Sequence, residues 1–398
     1  MRSAISSLAV LPLASLAQAA PRGSAGSQGE GFVHMPLTYR AEDKFSTVDI
    51  GLGTPQQSVR VLVNTGSYTL WVNPSCSARG TCPERTFVKQ DSTTFKDLGR
   101  VKTEPYRERV TYRFATDKLS LGSVNLDNHL FGVGESFKIE QSSRRTELSE
   151  ADDLHKLIPY GLMGISRVNA SDPDGERASV LKSLLSGGHI RTEAFSLDVQ
   201  GPEDDGSLIF GGVDVKKFSG PLQKIPMLDD GKPSYNVKLD GVAVTKGGNT
   251  KVVSEGKISI SLMTGTPVSI LPDTIMNQVY DMYQEVNRQQ PPHSLVCDFV
   301  KDAEGTLDFR FGSVTIKVPI KELITPQNES FRGYCDFNII PIVPQDGAYT
   351  LGNDILKHAY IVYDSAHSNV HIGNSKNCGK KVVPLDADTN IDTLNGEC

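Results

Sequence analysis

Two short turns are the parts of this sequence best suited to chemistry, since each combines a glycine with hydroxyl side chains. The first turn ends the segment Val61 to Ser67, the second ends the segment Ile260 to Thr266, and both follow an apolar run. The glycine permits a tight turn, and the hydroxyls can bond nearby backbone groups. Just before the threonine of each turn stand Asn64 and Met263, respectively. A repeat of this kind predicts two related halves.

The side chains at these two positions decide which reactions the turns could support. A carboxamide is neutral and does not exchange a proton near neutral pH. A thioether is only a weak acceptor on an apolar stem. Neither group can serve as a general acid or base, a role worth about 10²–10⁴-fold in rate. The other turn residues are polar or conformationally permissive: Thr65, Gly66, Ser67, Thr264, Gly265 and Thr266.

The rest of the sequence predicts the elements that hold these turns. Short apolar or alternating runs, separated by Gly and Pro, indicate an all-β protein. The clearest runs are Val59 to Val63, Leu119 to Leu121, Ser207 to Phe210 and Val314 to Val318. A second repeated element follows each turn, as Leu162 to Gly164 and Thr350 to Gly352, and helices are expected over Ala178 to Leu185 and Asp273 to Val286. The 398 residues are too many for one ordinary core and suit two lobes.

The first residues predict export from the cell. Arg2 supplies a positive start, Ala4 to Ala17 is mostly apolar or small, and Ala17 to Ala19 forms a small-residue cleavage pattern. We therefore expect a signal peptide over residues 1–19 and a secreted, extracellular protein. A membrane anchor is the alternative, but the apolar run is too short and Pro12 interrupts it. We expect no membrane partner.

Charge and cysteine content narrow the partners further. The net charge of −6 is spread without a long basic run, which disfavours nucleic acid as a partner. Six cysteines in an exported chain predict three disulfides, and the lack of a paired C-x-x-C disfavours a metal site. We expect no cofactor. Two glycan acceptor patterns begin at Asn169 and Asn328, and we expect both on the surface.

Together with these features, the sequence resembles the pepsin-like aspartic peptidases over nearly all of residues 35–375. The similar segments surround the first turn, connect the halves or form a C-terminal signature: Ile50 to Gln57, Leu70 to Val72, Phe195 to Leu197, Gly206 to Asp214, Leu351 to Leu356 and Tyr360 to Asp364. The resemblance implies an all-β, bilobal fold with two pseudo-symmetric lobes around a central cleft. The expected division is a signal peptide (1–19), a disordered segment (20–31), an N-terminal lobe (32–205), an inter-lobe segment (206–220), a C-terminal lobe (221–375) and a tail (376–398).

Members of that family carry one aspartate in each turn, and the two face each other across the cleft. Two carboxylates held close share one proton, so that one activates a water while the other polarises the scissile carbonyl. Asn64 and Met263 stand where the resemblance places these aspartates, so both members of the dyad are replaced. Asp49 and Asp273 are other carboxylates near the turns in sequence, but neither is on a turn that would point into the cleft.

The family's cleft is covered by a hairpin flap with a glycine-rich tip. Val110 to Tyr112 are similar to its start, but Arg113 to Asp117 run directly into the next strand, which implies that the tip is missing. Tyr112 is then either the aromatic residue that reaches over the cleft or an ordinary strand tyrosine. The resemblance also implies the disulfides Cys76–Cys82 and Cys297–Cys335. Cys378 and Cys398 remain as a third pair, with a free or intermolecular Cys398 as the alternative.

Three functions stay open at this point. The first is a catalytically inactive, monomeric member of this fold that binds a peptide or protein segment in the cleft. The second is a non-proteolytic enzyme in which Asn64, Ser67, Tyr112 and Thr266 orient a small molecule. The third is an active aspartic-type endopeptidase with atypical catalytic groups. We expect the first, because the turns are kept while their acid and base are lost.

Overall fold

The computed structural model describes twelve ranges of the chain: residues 30–40, 44–73, 85–104, 108–141, 144–148, 160–201, 206–283, 286–287, 294–296, 303–326, 334–343 and 349–398. Several predicted features lie outside these ranges, namely the signal peptide over 1–19, Cys76, Cys82, Cys297 and Asn328. Gly31, in the segment expected to be disordered, is described and buried. A methyl group added at Gly31 would lie 3.2 Å from the guanidinium of Arg191, which packs against it.

The described residues are built mainly from short strands. In chain order these are β1 Val33–Tyr39, β2 Ser46–Leu52, β3 Gln57–Asn64, β4 Leu70–Val72, β5 Lys96–Thr103, β6 Glu108–Leu121, β7 Val124–Gln141, β8 Arg144–Leu148, β9 Gly161–Gly164, β10 Ala194–Asp198, β11 Gly206–Phe210, β12 Gly212–Asp214, β13 Ser219–Pro221, β14 Gln223–Pro226, β15 Asn236–Leu239 and β16 Gly241–Lys246. The chain continues with β17 Asn249–Ser254, β18 Ile258–Leu262, β19 Ser269–Pro272, β20 Val286–Asn287, β21 Ser294–Val296, β22 Thr306–Phe311, β23 Val314–Pro319, β24 Ile324–Pro326, β25 Tyr334–Phe337, β26 Ile339–Ile342, β27 Tyr349–Leu351, β28 Ala359–Asp364, β29 Asn369–Asn374, β30 Val382–Pro384 and β31 Asn395–Glu397.

Helices in the described ranges are few and short. The α-helices are α1 Gly175–Ala178, α2 Val180–Ser186, α3 Asp273–Met282 and α4 Asn353–Leu356, and the 3₁₀ segments are Lys89–Asp91, Ile320–Leu323 and Ile391–Thr393. The helix expected from residue 178 begins only at Val180, because the hydroxyl of Ser179 caps it by accepting the N–H of Lys182. The helix expected to reach residue 286 ends at Met282.

One large sheet joins the two halves of the chain. Its order is β14-β29-β28-β10-β11-β1-β2-β3-β9-β4-β7-β6-β5, with β8 added to β7. The strands β14, β28 and β29 come from the second half and hydrogen-bond through β10 and β11 to β1 of the first half. The remaining strands of the second half form separate sheets, β15-β18-β27-β19-β26, β17-β16-β22-β23 and β20-β21-β25-β24. The predicted all-β, two-lobed fold is confirmed.

A continuous apolar core lies beneath this shared sheet. The ring of Phe195 from the first half stacks on Tyr363 from the second, with centroids 4.7 Å apart, and Tyr235 packs against both. All three side chains are completely buried, and the Tyr235 hydroxyl donates to the carbonyl of Ile165. Such burial of aromatic rings is a main source of core stability. The two halves are therefore held together by packing as well as by strand pairing.

The last residues of the chain are fastened to the shared sheet region. The strands β30 and β31 pair with β12 and β13, while Leu385 and Ile391 are buried in a satellite apolar cluster. The disulfide Cys378–Cys398 is formed, with Cα atoms 5.5 Å apart, and confirms the third predicted pair. Cys335 is also disulfide-bonded, but its predicted partner lies outside the described residues. The C-terminal segment is thus held by strand pairing and closed into a loop by the Cys378–Cys398 disulfide.

We expect the Cys378–Cys398 disulfide to contribute measurably to stability. The variant Cys378→Ser with Cys398→Ser opens a loop of 20 residues, and such a change costs about 2–4 kcal/mol. The measurement is urea unfolding without reductant, followed by circular dichroism. Both cysteines are exposed, so the serine side chains themselves should cost little. An unfolding midpoint equal to that of the parent protein would contradict this expectation.

Candidate functional site

The two predicted turns occupy equivalent places in the two halves. The strand β3 ends at Asn64 and pairs in parallel with β9, and the N–H of Ile165 donates to the Asn64 carbonyl at 2.9 Å. The strand β18 pairs in parallel with β27, and the N–H of Met263 donates to the Leu351 carbonyl at 3.0 Å. In each half, the strand that contains the Leu-Gly element therefore supports the Thr-Gly turn of the same half. This explains why the two elements recur together in sequence.

The turns are tied to each other by their threonines. Thr65 Oγ1 donates to the Leu262 carbonyl at 2.8 Å, and Thr264 Oγ1 donates to the Val63 carbonyl at 2.8 Å. Each hydroxyl also accepts the backbone N–H of the other threonine, at 3.1 and 3.3 Å. Both side chains are buried, with at most 1% of their surface exposed. Four buried hydrogen bonds thus fix the separation and orientation of the two turns.

Asn64 and Met263 lie across the glycines of the opposite turns. A methyl group added at Gly265 would stand 2.3 Å from the Asn64 carboxamide, and one added at Gly66 would stand 2.8 Å from the Met263 methyl carbon. At Gly265 this approach leaves no room for a side chain beside the Asn64 carboxamide, whereas at Gly66 the nearest atom is the end of the flexible Met263 side chain. The turns therefore bring the side chains of Asn64 and Met263 to the same place between the halves.

The Asn64 side chain is oriented by its own turn. Its Oδ1 accepts the N–H of Gly66 at 2.7 Å, which leaves the amide NH₂ as the remaining polar edge. Asn64 is 9% exposed and Met263 is half-buried, so both reach the surface of the site. The pair presents an N–H donor and a thioether. It presents no group that can take a proton from water.

The other hydroxyls of the turns are placed by backbone bonds. The Ser67 carbonyl accepts the N–H of Ser166 at 2.7 Å, and Thr266 Oγ1 donates to the carbonyl of Val268 at 3.0 Å. Ser67 is buried and Thr266 is half-buried. These contacts stabilise each turn locally. They direct the Thr266 hydroxyl towards its own backbone.

The carboxylates considered from sequence serve other contacts. Asp49 is 39% exposed and is paired with Arg60 and Arg85 on the outer face of β2. Asp273 is the first residue of α3, and after burial its charge is the second cause that raises the pKa of Tyr349. Neither contact involves a residue of the two turns.

Asn353 and Asp354 support the second turn, and they lie within the C-terminal signature Leu351 to Leu356, whose residues carry no predicted role in the site. Asn353 Nδ2 donates to the Thr264 carbonyl at 2.9 Å, and Asp354 Oδ1 accepts the Ser269 hydroxyl at 2.7 Å. Burial raises the pKa of Asp354 to about 7, against the opposing effect of the Ser269 bond. Asp354 is 1% exposed, so it braces the backbone from behind. The signal available was their position directly after the repeated Leu351-Gly352 element.

A hairpin of β5 and β6 lies next to the first turn, one strand earlier than expected. The register pairs Lys102 with Tyr112 and Thr103 with Thr111, so Val110 to Tyr112 belong to its second strand. The expectation that they begin the hairpin is wrong, because β5 is largely exposed and charged and lacks an apolar pattern. Residues 105–107 of the connection lie outside the described ranges.

Tyr112 is the ordinary strand tyrosine of the two alternatives. It is completely buried, and its hydroxyl donates to Glu104 Oε1 at 2.5 Å. Its ring packs edge-on against Phe114 and beside Trp71 in a small apolar cluster under the hairpin. Burial, reinforced by the charge of Glu104, raises the pKa of Tyr112 far above its usual value. Tyr112 therefore fixes the hairpin from below and does not reach over the cleft.

The predicted modification and metal features add little to this site. Asn169 is exposed, and its Oδ1 accepts the N–H of Ser171 at 3.0 Å. In the described ranges no cluster of three or more His, Cys, Asp or Glu side chains is arranged to hold a metal ion. The same ranges contain no helix that is both long and apolar enough to cross a membrane.

A cavity of about 700 Å³ lies away from the turns, between the start of β7 and the helices α1 and α2. It contains His129, whose Nδ1 lies 3.1 Å from Ser183 Oγ. Burial lowers the pKa of His129 to about 4, so its ring is neutral at ordinary pH. Geometry thus favours the paired turns, where two repeated elements converge, as the functional site.

Comparison with known proteins matches residues 46–375 to the family described as eukaryotic aspartyl protease. A protein named "Probable aspartic-type endopeptidase OPSB" from Arthroderma benhamiae is 27% identical, over 82% of this chain and 68% of its own. Candidapepsin-1 of Candida albicans is 28% identical over 86% and 84% of the two chains. Aspartic proteinase yapsin-3 of Saccharomyces cerevisiae is 25% identical over 88% and 70%.

The threonine bonds between the turns should dominate local stability. In Thr65→Val the Leu262 carbonyl and the Thr264 N–H both lose their buried partner, which costs about 2–4 kcal/mol in unfolding free energy. The matched control is Thr103→Val, whose hydroxyl bonds Thr111 at 2.9 Å on the exposed face. The control should change stability by less than about 0.5 kcal/mol. Urea unfolding that ranks the two variants equally would refute the role assigned to Thr65.

Proposed function

The chain belongs to the eukaryotic aspartyl protease family, and from this premise we propose that it is a catalytically inactive member that binds an extended peptide segment at the paired turns. The observation that carries the proposal is the identity of the two side chains that meet there. The turns are braced by buried threonine bonds, and the groups they present are a carboxamide and a thioether.

Loss of both carboxylates removes the acid, the base and the charge that would orient a water. A single missing carboxylate could be relieved by deamidation of Asn64, but Met263 has no comparable route to an acid. The buried carboxylate of Asp354 accepts the Ser269 hydroxyl and is 1% exposed. Proton transfer normally contributes about 10²–10⁴-fold to such reactions. Hydrolysis would have to proceed without that contribution.

An extended peptide is the ligand class that suits this architecture. Strand edges bind extended chains through backbone hydrogen bonds, with side-chain pockets adding specificity. The hairpin strand β5 is an edge of the large sheet and lies beside the first turn. The Asn64 amide, with its oxygen held by Gly66, adds an N–H donor for a peptide carbonyl. The half-buried Met263 adds an adaptable apolar contact.

We propose that the protein acts outside the cell, as a monomer. The disulfide Cys378–Cys398 supports export, because disulfides persist in oxidising compartments. The exposed acceptor pattern at Asn169 is compatible with that route. The proposed extracellular location also rests on the predicted signal peptide over residues 1–19.

The first test of the proposal is proteolysis by the purified protein. We expect no cleavage of an unfolded substrate at any pH from about 2 to 8, because no dyad is present to titrate. Pepstatin should bind poorly, since its central hydroxyl would meet the amide of Asn64 and the thioether of Met263. A pepsin-type peptidase with both aspartates serves as the positive control. Acid-optimal, pepstatin-sensitive cleavage by the pure protein would sink the proposal.

The second test rebuilds the dyad. The double variant Asn64→Asp, Met263→Asp should gain weak cleavage at acid pH only, since the four threonine bonds that would position the pair are intact. Either single variant should stay inactive, because a lone carboxylate lacks its proton-sharing partner. The double variant Asn64→Ala, Met263→Ala is the matched inert control. Peptide hydrolysis followed from about pH 2 to 7 provides the readout. Equal activity of a single and the double variant would show that the shared-dyad argument fails for this protein.

A further inference from the structure

The hairpin of β5 and β6 is joined to the body of the first lobe along two of its sides. On one side β6 continues to pair with β7 along its whole length, from Leu121 opposite Val124 up to Glu108 opposite Ile139. The hairpin is therefore part of a wider sheet and is not a free two-stranded arm. A backbone ladder of this length must be broken before the hairpin can lift.

On the other side the hairpin is held by charged groups. Lys102 Nζ on β5 lies 2.6 Å from Asp172 and 3.3 Å from Glu104, and it stands 5.2 Å above the ring of Tyr68. The Tyr68 hydroxyl donates to the same Asp172 carboxylate at 2.7 Å. Lys102, Glu104 and Asp172 are only 24%, 10% and 14% exposed. Tyr68 follows Ser67, so this contact ties the hairpin directly to the first turn.

A second ion pair reinforces the first. Arg100 makes a two-point contact with Asp174, with Nη2 to Oδ1 at 3.0 Å, and stacks over the ring of Phe114. Asp172 Oδ1 in turn accepts the N–H of Asp174, which stiffens the loop that carries both carboxylates. Arg100 is 48% exposed and Asp174 13%, so this pair resembles a surface pair and contributes less than the more buried Lys102–Asp172 pair.

We infer that the β5–β6 hairpin is a fixed wall of the ligand site, with Lys102 and Asp172 as the positioning residues that lock it to the loop of residues 169–174. A lid would need a hinge at its base, whereas the described part of this hairpin has a ladder on one side and two ion pairs on the other. This inference rests on the proposed function, under which a wall that does not lift favours an extended, unfolded chain segment over a folded surface as the ligand.

The lock is expected to weaken in acid. Burial acts to raise the pKa of Asp172, but the bonds from Lys102 and Tyr68 outweigh it and hold the pKa below its usual value. A carboxylate with a lowered pKa stabilises the folded contact at higher pH and loses that contribution as pH falls through its folded pKa. The charged or titratable groups facing it are Lys102, Glu104, Tyr68, Asp174 and Arg100. We therefore expect the contact between Lys102 and Asp172 to weaken only below about pH 4, where Asp172 becomes protonated.

Amide hydrogen exchange of the free protein tests the lock without any ligand. In Lys102→Met the strands β5 and β6 should lose protection by about tenfold or more at pH 7, because local opening no longer breaks the ion pair. The matched control is Lys182→Met, since Lys182 also pairs with a carboxylate, Glu193, at 2.6 Å and similar exposure. The control should leave these strands unchanged, and Lys102→Arg should keep most of their protection.

Trp71 offers a second readout, because it is the sole tryptophan of the chain and lies 3% exposed under the hairpin. Acrylamide quenching of its fluorescence should rise in Lys102→Met and Asp172→Asn at pH 7, and in the parent protein below about pH 4. Unchanged protection in β28 and β29 shows that a variant is folded. Equal protection and quenching in Lys102→Met and Lys182→Met would overturn the inference, whether or not a peptide ligand is ever found. A locked hairpin in a protein that binds no peptide would instead refute only the proposed function.

Discussion

The reciprocal threonine bonds between the two turns are the constraint on which the rest of the site depends. Thr65 and Thr264 each donate to the chain of the other half and each accept its backbone N–H. All of these groups are buried, so leaving one unpaired costs more than the bond itself contributes. The strands β3 and β18, the elements that support them and the shared sheet must all be in register for the four bonds to form. The geometry of the turns is therefore preserved by folding requirements that are independent of catalysis.

This independence is what the proposed loss of catalysis requires, because the site would keep its shape without its acid and base. In a dyad, two carboxylates close together repel each other unless they share a proton. Asn64 is oriented within its turn, because its Oδ1 accepts the Gly66 N–H, a bond that a carboxylate oxygen can also accept. Met263 occupies the space above Gly66 with an apolar stem. The neutral pair removes the repulsion and the pH dependence, while the close approach of side chain to glycine is retained.

The parts of the structure that could be predicted from sequence are those encoded by repetition. The Thr-Gly turns and the Leu-Gly elements recur, and the structure pairs them in parallel within each half. The position of the β5–β6 hairpin is not encoded in this way, because β5 has no alternating apolar pattern and interacts through charges. The partners of Lys102 are Glu104, close in sequence, and Asp172, far from it, so nothing local in the sequence identifies the pair. Buried Asp354 is similarly defined by its tertiary contact with Ser269.

The proposed loss of catalysis and the proposed fixed hairpin are physically consistent with each other. A peptidase must admit substrate, enclose it and release two products in every cycle, and a moving lid sets the rate of many such enzymes. A protein that only binds needs none of these steps, and a rigid groove lowers the ordering cost of association. Locking the hairpin through Lys102 and Asp172 would slow an enzyme but would favour a binder. The ion pairs beside the first turn and the side chains of Asn64 and Met263 thus support the same proposed function through different physical terms.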